Sequence, residues 1–318
     1  MYPTTFPSCI YTALVILTTL SNAYYIDQNS CSPSKFGLDK LQNAFELAFS
    51  YARVITQNKD KFEDNTRVKD VTNWILGENA KIDSEGMNKW DLARLYLTNL
   101  NSVEKRSDTP DDVRIYYDTS RLEVTDLPSG AKKTHDKINN LSNLGDGIAD
   151  CNEKTGIKAW TGSEPARHAF STIQICPWYL KEMMIAKVGT FSAFKTKGLR
   201  LLDKGLDRLI PIDSPAGIDY IALFEVTMLH ELTHTKIAGG IYGEGGSKDI
   251  DGLGNSYQWK NIRRLSQGED SWENADSLAY WAFAVKMILE DGVTITENGD
   301  VEKVKVKGKG WETREWVA

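Results

Sequence analysis

Two histidines four residues apart, with a glutamate directly after the first, are the residues of this chain best suited to chemistry: His230-Glu231-Leu232-Thr233-His234. On a helix, residues i and i+4 share a face. The two imidazoles can therefore ligate one Zn²⁺ at about 2.0–2.1 Å each. Glu231 lies beside them, set to take a proton from an attacking water rather than to ligate, which is general-base work in metal-assisted hydrolysis. The chain has only 4 histidines and this segment holds two of them, while His135 and His168 stand isolated upstream and read as surface or core residues. Phe224, Val226, Met228, Leu229 and Leu232 supply the apolar surround that buries such a helix and dries its site.

A catalytic zinc site takes three protein ligands and keeps its fourth position open. Downstream carboxylates are the candidates for the third. Asp249 and Asp251 lie in a glycine-rich stretch that can fold back over the metal, and Glu273 and Asp276 lie where a later helix begins. Spacing alone does not choose among the four.

The elements that must position these residues are marked in the pattern. Residues 216–237, after Pro215 and before Gly239-Gly240, read as one long helix. A glycine-rich loop follows to Gly254, and residues 272–290 read as a second strong helix with Glu273-Asn274-Ala275-Asp276 in its first turn. Residues 171–176 alternate as a strand, with Ile173 and Ile175 on one face and Pro177 ending it. Further upstream, residues 40–57, 68–76 and 90–100 are expected to be helices, residues 113–117 and 122–125 strands, and residues 127–130 a turn. At the far end, residues 293–295 and 301–306 flank Asn298-Gly299 as a hairpin, with Lys303, Lys305 and Lys307 on its solvent face.

The 318 residues, 41% hydrophobic and 26% charged, are those of a globular chain. They divide into a helix-rich part over residues 24–130 and a catalytic part over 131–318, within what can be one domain. A formal net charge of −6 argues against a nucleic-acid partner, which needs a basic footprint. Residues 11–20 are a short apolar run followed by the small residues Ser21-Asn22-Ala23, so residues 1–23 read as a signal peptide, although residues 1–10 carry no Lys or Arg. The mature chain would start at Tyr24 and be secreted, with no membrane span. Cys9 leaves with the leader. Cys151 and Cys176 flank one local segment and are expected to pair, leaving Cys31 over. Asn140-Leu141-Ser142 fits a glycosylation acceptor.

Together these residues resemble the aspzincins, the deuterolysin and peptidyl-Lys metallopeptidase group of secreted, mostly fungal enzymes. The resemblance runs from about Cys151 to Leu289. It rests on Thr172-Ile173-Gln174-Ile175-Cys176-Pro177, on His230-Glu231-Leu232-Thr233-His234, on Gly246-Ser247-Lys248-Asp249-Ile250-Asp251 with Tyr257-Gln258-Trp259, and on Asn274-Ala275-Asp276-Ser277. It implies a zincin-like α+β fold, helix-rich, with a small sheet packed on the active-site helix. It also implies a loop Asp as third zinc ligand and a Tyr facing the substrate carbonyl, here Tyr257. The family's loop commonly reads Gly-Thr-x-Asp-x-x-Tyr-Gly, whereas here Ser247 stands for the Thr, Gln258 for the last Gly, and the Asp-to-Tyr gap is longer. Asp251 keeps that gap closer to the family's and is taken as the ligand. Asp249 keeps the Gly-x-x-Asp lead-in and is the alternative. Asp276 then orients a ligand imidazole through its free N–H. The family's cysteine just before Cys151, at a position like Ala149, is absent, which leaves Cys31 without its usual partner.

The implied activity is a zinc metalloendopeptidase acting as a monomer on a protein or peptide that lies along the strand of Ile173 and Ile175. Glu231 is general base and then proton donor, and Tyr257 donates to the oxyanion. Two rival readings stand beside it: a secreted zincin-fold binding protein or effector with little proteolysis, and a thermolysin-like arrangement with Glu273 as ligand.

Overall fold

The computed structural model describes residues 23–30, 38–82, 86–107, 112–163, 170–186, 216–222, 224–240, 246–252 and 254–303. Residues 1–22 of the leader read over 1–23, together with Cys31, His168, Lys305 and Lys307, lie outside them.

Short apolar segments far apart in sequence build the main sheet. Its strands are Tyr24–Ile26 (β1), Arg106–Ser107 (β2), Val113–Tyr116 (β3), Ala159–Ser163 (β7) and Ser171–Ile175 (β8), in the order β2-β1-β3-β8-β7. β2, β1, β3 and β8 run parallel, and β7 pairs antiparallel to β8 with Thr161 opposite Ile173. All five residues of β8 are buried, because β3 and β7 occupy its two sides. This corrects one expectation: Ile173 and Ile175 sit on an internal strand whose backbone groups are already paired. Among the described residues the edge strands of the sheet are β2 and β7. A second, antiparallel sheet of Leu122–Asp126 (β4), Lys132–Asp136 (β5) and Leu141–Leu144 (β6) lies between them in sequence. Cys151 and Cys176 form the expected disulfide, tying the loop before β7 to the end of β8.

The early helices are Leu38–Gln57 (α1), Lys61–Asp64 (α2), Thr66–Leu76 (α3) and Lys89–Leu100 (α4); α1, α3 and α4 fall where their apolar periodicity puts them, and the short α2 was not expected. α1 buries Leu41, Phe45, Ala48, Ala52 and Ile55 at helical spacing. The side chain of Asn65 caps α3 by accepting from the N–H groups of Arg67 and Val68. Gly147–Asp150 (α5) and Pro177–Ala186 (α6) follow the two sheets. Helices and small sheets thus mix in an α+β arrangement.

The expected helix over residues 216–237 is broken in three. Residues 217–221 form turns, Phe224–Thr233 (α7) is the helix proper, and Lys236–Gly239 (α8) is a short continuation. Long-range bonds override the local propensity at the first break. Asp219 accepts from the N–H groups of Ala216 and Trp259 and from the Tyr280 hydroxyl, and Ile218 N–H donates to Gly299 O. At the second break Thr235 is extended (φ −68°, ψ 149°). Gln258–Leu265 (α9) comes next. The helix expected from residue 272 starts later, as Ala275–Asp291 (α10), behind a 3₁₀ turn over Asp270–Glu273. Asn274 is extended at its N-cap, and Gly292 closes it in the left-handed conformation glycine tolerates (φ 64°). The hairpin Val293–Ile295 (β9) and Val301–Lys303 (β10) forms around Gly299, as expected.

One cluster of buried apolar side chains runs from Tyr24 to Ile295. α1 and α10 both pack on α7. Polar ties cross the same interior: the Tyr51 hydroxyl donates to Glu225 Oε1 at 3.0 Å, and Trp281 Nε1 donates to Thr72 Oγ1 at 2.9 Å. The helices of residues 24–130 therefore share one core with the helix of His230, and no core boundary falls at residue 130. No described helix is long and apolar enough to cross a membrane.

Candidate metal centre

His230 in the last turn of α7 and His234 directly after its end line a cleft of about 1270 Å³. Their Nε2 atoms lie 3.1 Å apart, and Asp249 Oδ1 lies 3.5 Å from each. Two donors about 2.05 Å from one ion at a tetrahedral angle are roughly 3.3 Å apart. The three separations match that geometry. Asp249 Oδ1 is buried and has no hydrogen-bond partner, which is the condition of a ligand oxygen facing its ion.

The opposite ring nitrogens are each held, which turns both Nε2 lone pairs inward. His230 Nδ1 is 2.8 Å from Asp276 Oδ1, and His234 Nδ1 donates to the carbonyl of Ser247 at 2.8 Å. Asp276 is fixed in turn by the N–H of Gln258 on its Oδ2, at 2.7 Å. A neutral imidazole with one nitrogen donating and the other bare suits a borderline cation such as zinc, and two imidazoles with one carboxylate form a familiar donor set for it.

The loop that brings Asp249 is pinned at both ends. Gly246 passes so close to the end of α7 that a Cβ there would stand 2.2 Å from the His234 carbonyl carbon, so only glycine fits. Ser247 then donates its N–H to Thr233 O, and Lys248 bridges to the start of α10 through Glu273 O and the N–H of Ala275. Asn274, wholly buried, braces the loop from behind. It accepts from the N–H of Ile250 and donates to Ser256 O and Ser277 Oγ.

Asp251, the preferred ligand on sequence grounds, is elsewhere. Its backbone is left-handed (φ 63°) and its half-exposed carboxylate pairs with Arg264 at 2.9 Å. The alternative, Asp249, is the residue brought to the histidines. Glu273 binds the Lys248 ammonium at 3.0 Å and takes no part in the triad. Asp276 is where it was expected, behind His230. His135 lies on β5 against Ser142 Oγ, in keeping with a structural residue.

Glu231 is buried beside the two histidines, and its Oε2 accepts from Thr161 Oγ1 of β7 at 2.7 Å. Burial pushes its carboxyl up, against the pull of His230, His234 and Thr161. Burial works to lower His230, but the Asp276 carboxylate on its Nδ1, followed by Asp249, raises it to about 9. For Asp249 burial acts upward and is outweighed by the two imidazoles and by Tyr257, which hold it well below the usual carboxylate range. The Tyr257 hydroxyl donates to Asp249 Oδ2 at 2.9 Å and its ring centre lies 5.4 Å from that of His230. Burial and the neighbouring Asp249 raise that phenol far above its ordinary value.

Sequence reasoning passed over Thr161 and the bracing role of Asn274. Thr161 carried no signal, being one position on a short strand 70 residues from its partner. Asn274 stood inside a quoted motif without a role.

No family model matches the chain, and no curated protein and no solved structure matches it either.

Proposed function

We propose that the chain is a secreted zinc-dependent metalloendopeptidase of zincin-like fold, with His230, His234 and Asp249 as ligands and Glu231 as general base. The observation that carries this reading is the convergence of three ligand atoms at ion-binding separations with a buried glutamate on the same helix turn. A bound Zn²⁺ supplies Lewis-acid polarisation of a carbonyl and lowers the pKa of water.

The chain's own residues do the rest. Glu231 is held by Thr161 facing the cleft. Its raised affinity for a proton suits a group that first accepts one from the attacking water and then passes it to the leaving amine. Tyr257 reaches the site through its hydroxyl, and exchanging Asp249 for the developing oxyanion would make it the donor there. Among the described residues β7 is the outer strand of the sheet beside α7, so an extended peptide can add to it as a further antiparallel strand and lay its backbone past Glu231.

Metal analysis with cleavage of a denatured protein tests the reading. Wild type should bind one zinc per chain and lose cleavage on chelation. Asp249→Ala should lose both, Asp251→Ala should keep both, and Glu231→Gln should keep zinc while losing cleavage. Zinc held by a wild-type chain that cleaves nothing would sink the peptidase reading in favour of a binding protein.

A further inference from the structure

On its His230 side the cleft is lined by Lys158, the residue just before β7, together with Thr227, Tyr280 and Asp276. The Lys158 ammonium lies 5.5 Å from the centre of the Tyr179 ring, and the Tyr179 hydroxyl is 3.0 Å from Thr227 Oγ1. Thr227 precedes His230 by one turn on α7, so this cation stands within a short reach of the metal centre.

No described residue offers it a counter-ion at contact. Asp276 spends its two oxygens on His230 Nδ1 and the N–H of Gln258. Asp219 spends its own on the N–H groups of Ala216 and Trp259 and on the Tyr280 hydroxyl. The Lys158 side chain makes no ion pair and no hydrogen bond with any described residue. Asp150, also on the cleft wall, is pushed up by burial and then by Asp146, and makes no ion pair with Lys158. Burial lowers the Lys158 ammonium, while Asp276 and Asp219 pull it back at longer range. A cation half withdrawn from water beside the candidate site, in contact with no described carboxylate, is half of an ion pair.

We propose that this recess is a substrate subsite in which Lys158 determines specificity by receiving the carboxylate of a glutamate or aspartate side chain. The inference rests on the peptidase reading for what enters the cleft. A peptide strand paired with β7 turns alternate side chains to the same side, and Lys158 stands at the start of that strand.

Internally quenched peptides identical except for Glu, Gln or Lys at one position near the scissile bond test it. Each is made with a free and with an amidated C-terminus, and offered to zinc-loaded wild type, Lys158→Met, Lys158→Arg and Lys158→Glu. Wild type should favour Glu over Gln in kcat/KM by roughly 10- to 100-fold, the worth of a hydrogen bond to a charged group. Lys158→Met should bring that ratio near one, Lys158→Arg should restore it, and Lys158→Glu should turn the preference to Lys. An equal fall for all peptides in Lys158→Met, with the ratio unchanged, would mean that Lys158 only balances Asp276 and Asp219, and would overturn the proposal. A preference that follows the free C-terminus rather than the Glu side chain would also overturn it and give the recess to a chain end. Should wild type cleave no peptide, the peptidase reading fails on its own. Equilibrium binding of the same peptides then decides the subsite: tighter binding of Glu than Gln by the same factor upholds it, and equal binding overturns it.

Discussion

Two buried carboxylates on opposite sides of the main sheet differ in one respect. Asp136, at the end of β5, uses both oxygens fully. Oδ1 accepts from the N–H groups of Ile138 and Asn139, and Oδ2 accepts from Arg121 Nε at 2.7 Å and from Asn139 Nδ2. Its cation is well held too, although Nη2 of Arg121 has no hydrogen-bond partner among the described residues. Arg121 lies 3.8 Å over the Tyr116 ring and bonds Gln174 of β8, joining the small sheet to the main one. Asp249 is also largely buried, yet its Oδ1 has no hydrogen-bond partner among the described residues while two imidazole Nε2 atoms face it at 3.5 Å. A fold spends a fully satisfied buried charge on holding itself together. An oxygen left over in a low-dielectric site is a place for something the chain does not itself contain.

Removal of each carboxylate should separate these roles, and the largest effect falls at the metal centre. Asp249→Ala should abolish stoichiometric zinc and with it cleavage, by a factor at least as large as the 10²–10⁴ that a general base contributes. The metal-free variant should lose no more than about 1.5–3 kcal/mol against metal-free wild type in urea, the worth of the Tyr257 hydrogen bond to the charged Oδ2. A large loss of stability in the metal-free form would show Asp249 to be structural after all.

The converse substitution should act on stability instead. Arg121→Met leaves Asp136 buried with an uncompensated charge, which typically costs about 3–5 kcal/mol. Urea denaturation should show that loss, while zinc affinity of the folded fraction stays at the wild-type value. A variant that keeps its stability but loses zinc would erase the distinction between the two sides of the sheet.

That distinction was only partly legible in the sequence. His230, Glu231 and His234 could be read because helical geometry converts a spacing of four into a shared face without help from the rest of the chain. The Cys151–Cys176 pair was legible from locality. The third ligand was not, because Asp249 and Asp251 are two residues apart in a loop. Their fates are set by backbone dihedrals that spacing does not encode: the left-handed turn at Asp251 sends its side chain out to Arg264. Thr161, Lys158 and the end of the long helix at Phe224 were hidden for another reason. Each depends on tertiary pairing, of β7 with β8 or of Asp219 with residues 40 and 61 positions away. Local propensity is silent about such partners.

Smaller effects sharpen the same comparison from the supporting residues. Asp276 resembles Asp136 in having both oxygens engaged, but one of its partners is a ligand imidazole. Asp276→Asn removes the charge behind His230 and should weaken zinc binding by about 10–100-fold, the usual cost of losing such a partner. Competition with a chelator measures it, and an unchanged affinity would place Asp276 with the structural carboxylates.

The smallest effect is expected at Gln258, whose N–H holds Asp276 while its own backbone is left-handed (φ 76°). That conformation costs a residue with a Cβ about 1–2 kcal/mol, whereas glycine adopts it freely and gives back about 0.5–1 kcal/mol in chain entropy on folding. Gln258→Gly should therefore stabilise the protein by on the order of 0.5–1 kcal/mol in urea and leave zinc affinity unchanged, since the donor to Asp276 is a backbone group. A destabilised variant would mean that the Gln258 side chain makes up for the strain through contacts worth more than the backbone cost. A weakened zinc site would mean that those contacts reach through Asp276 to the metal.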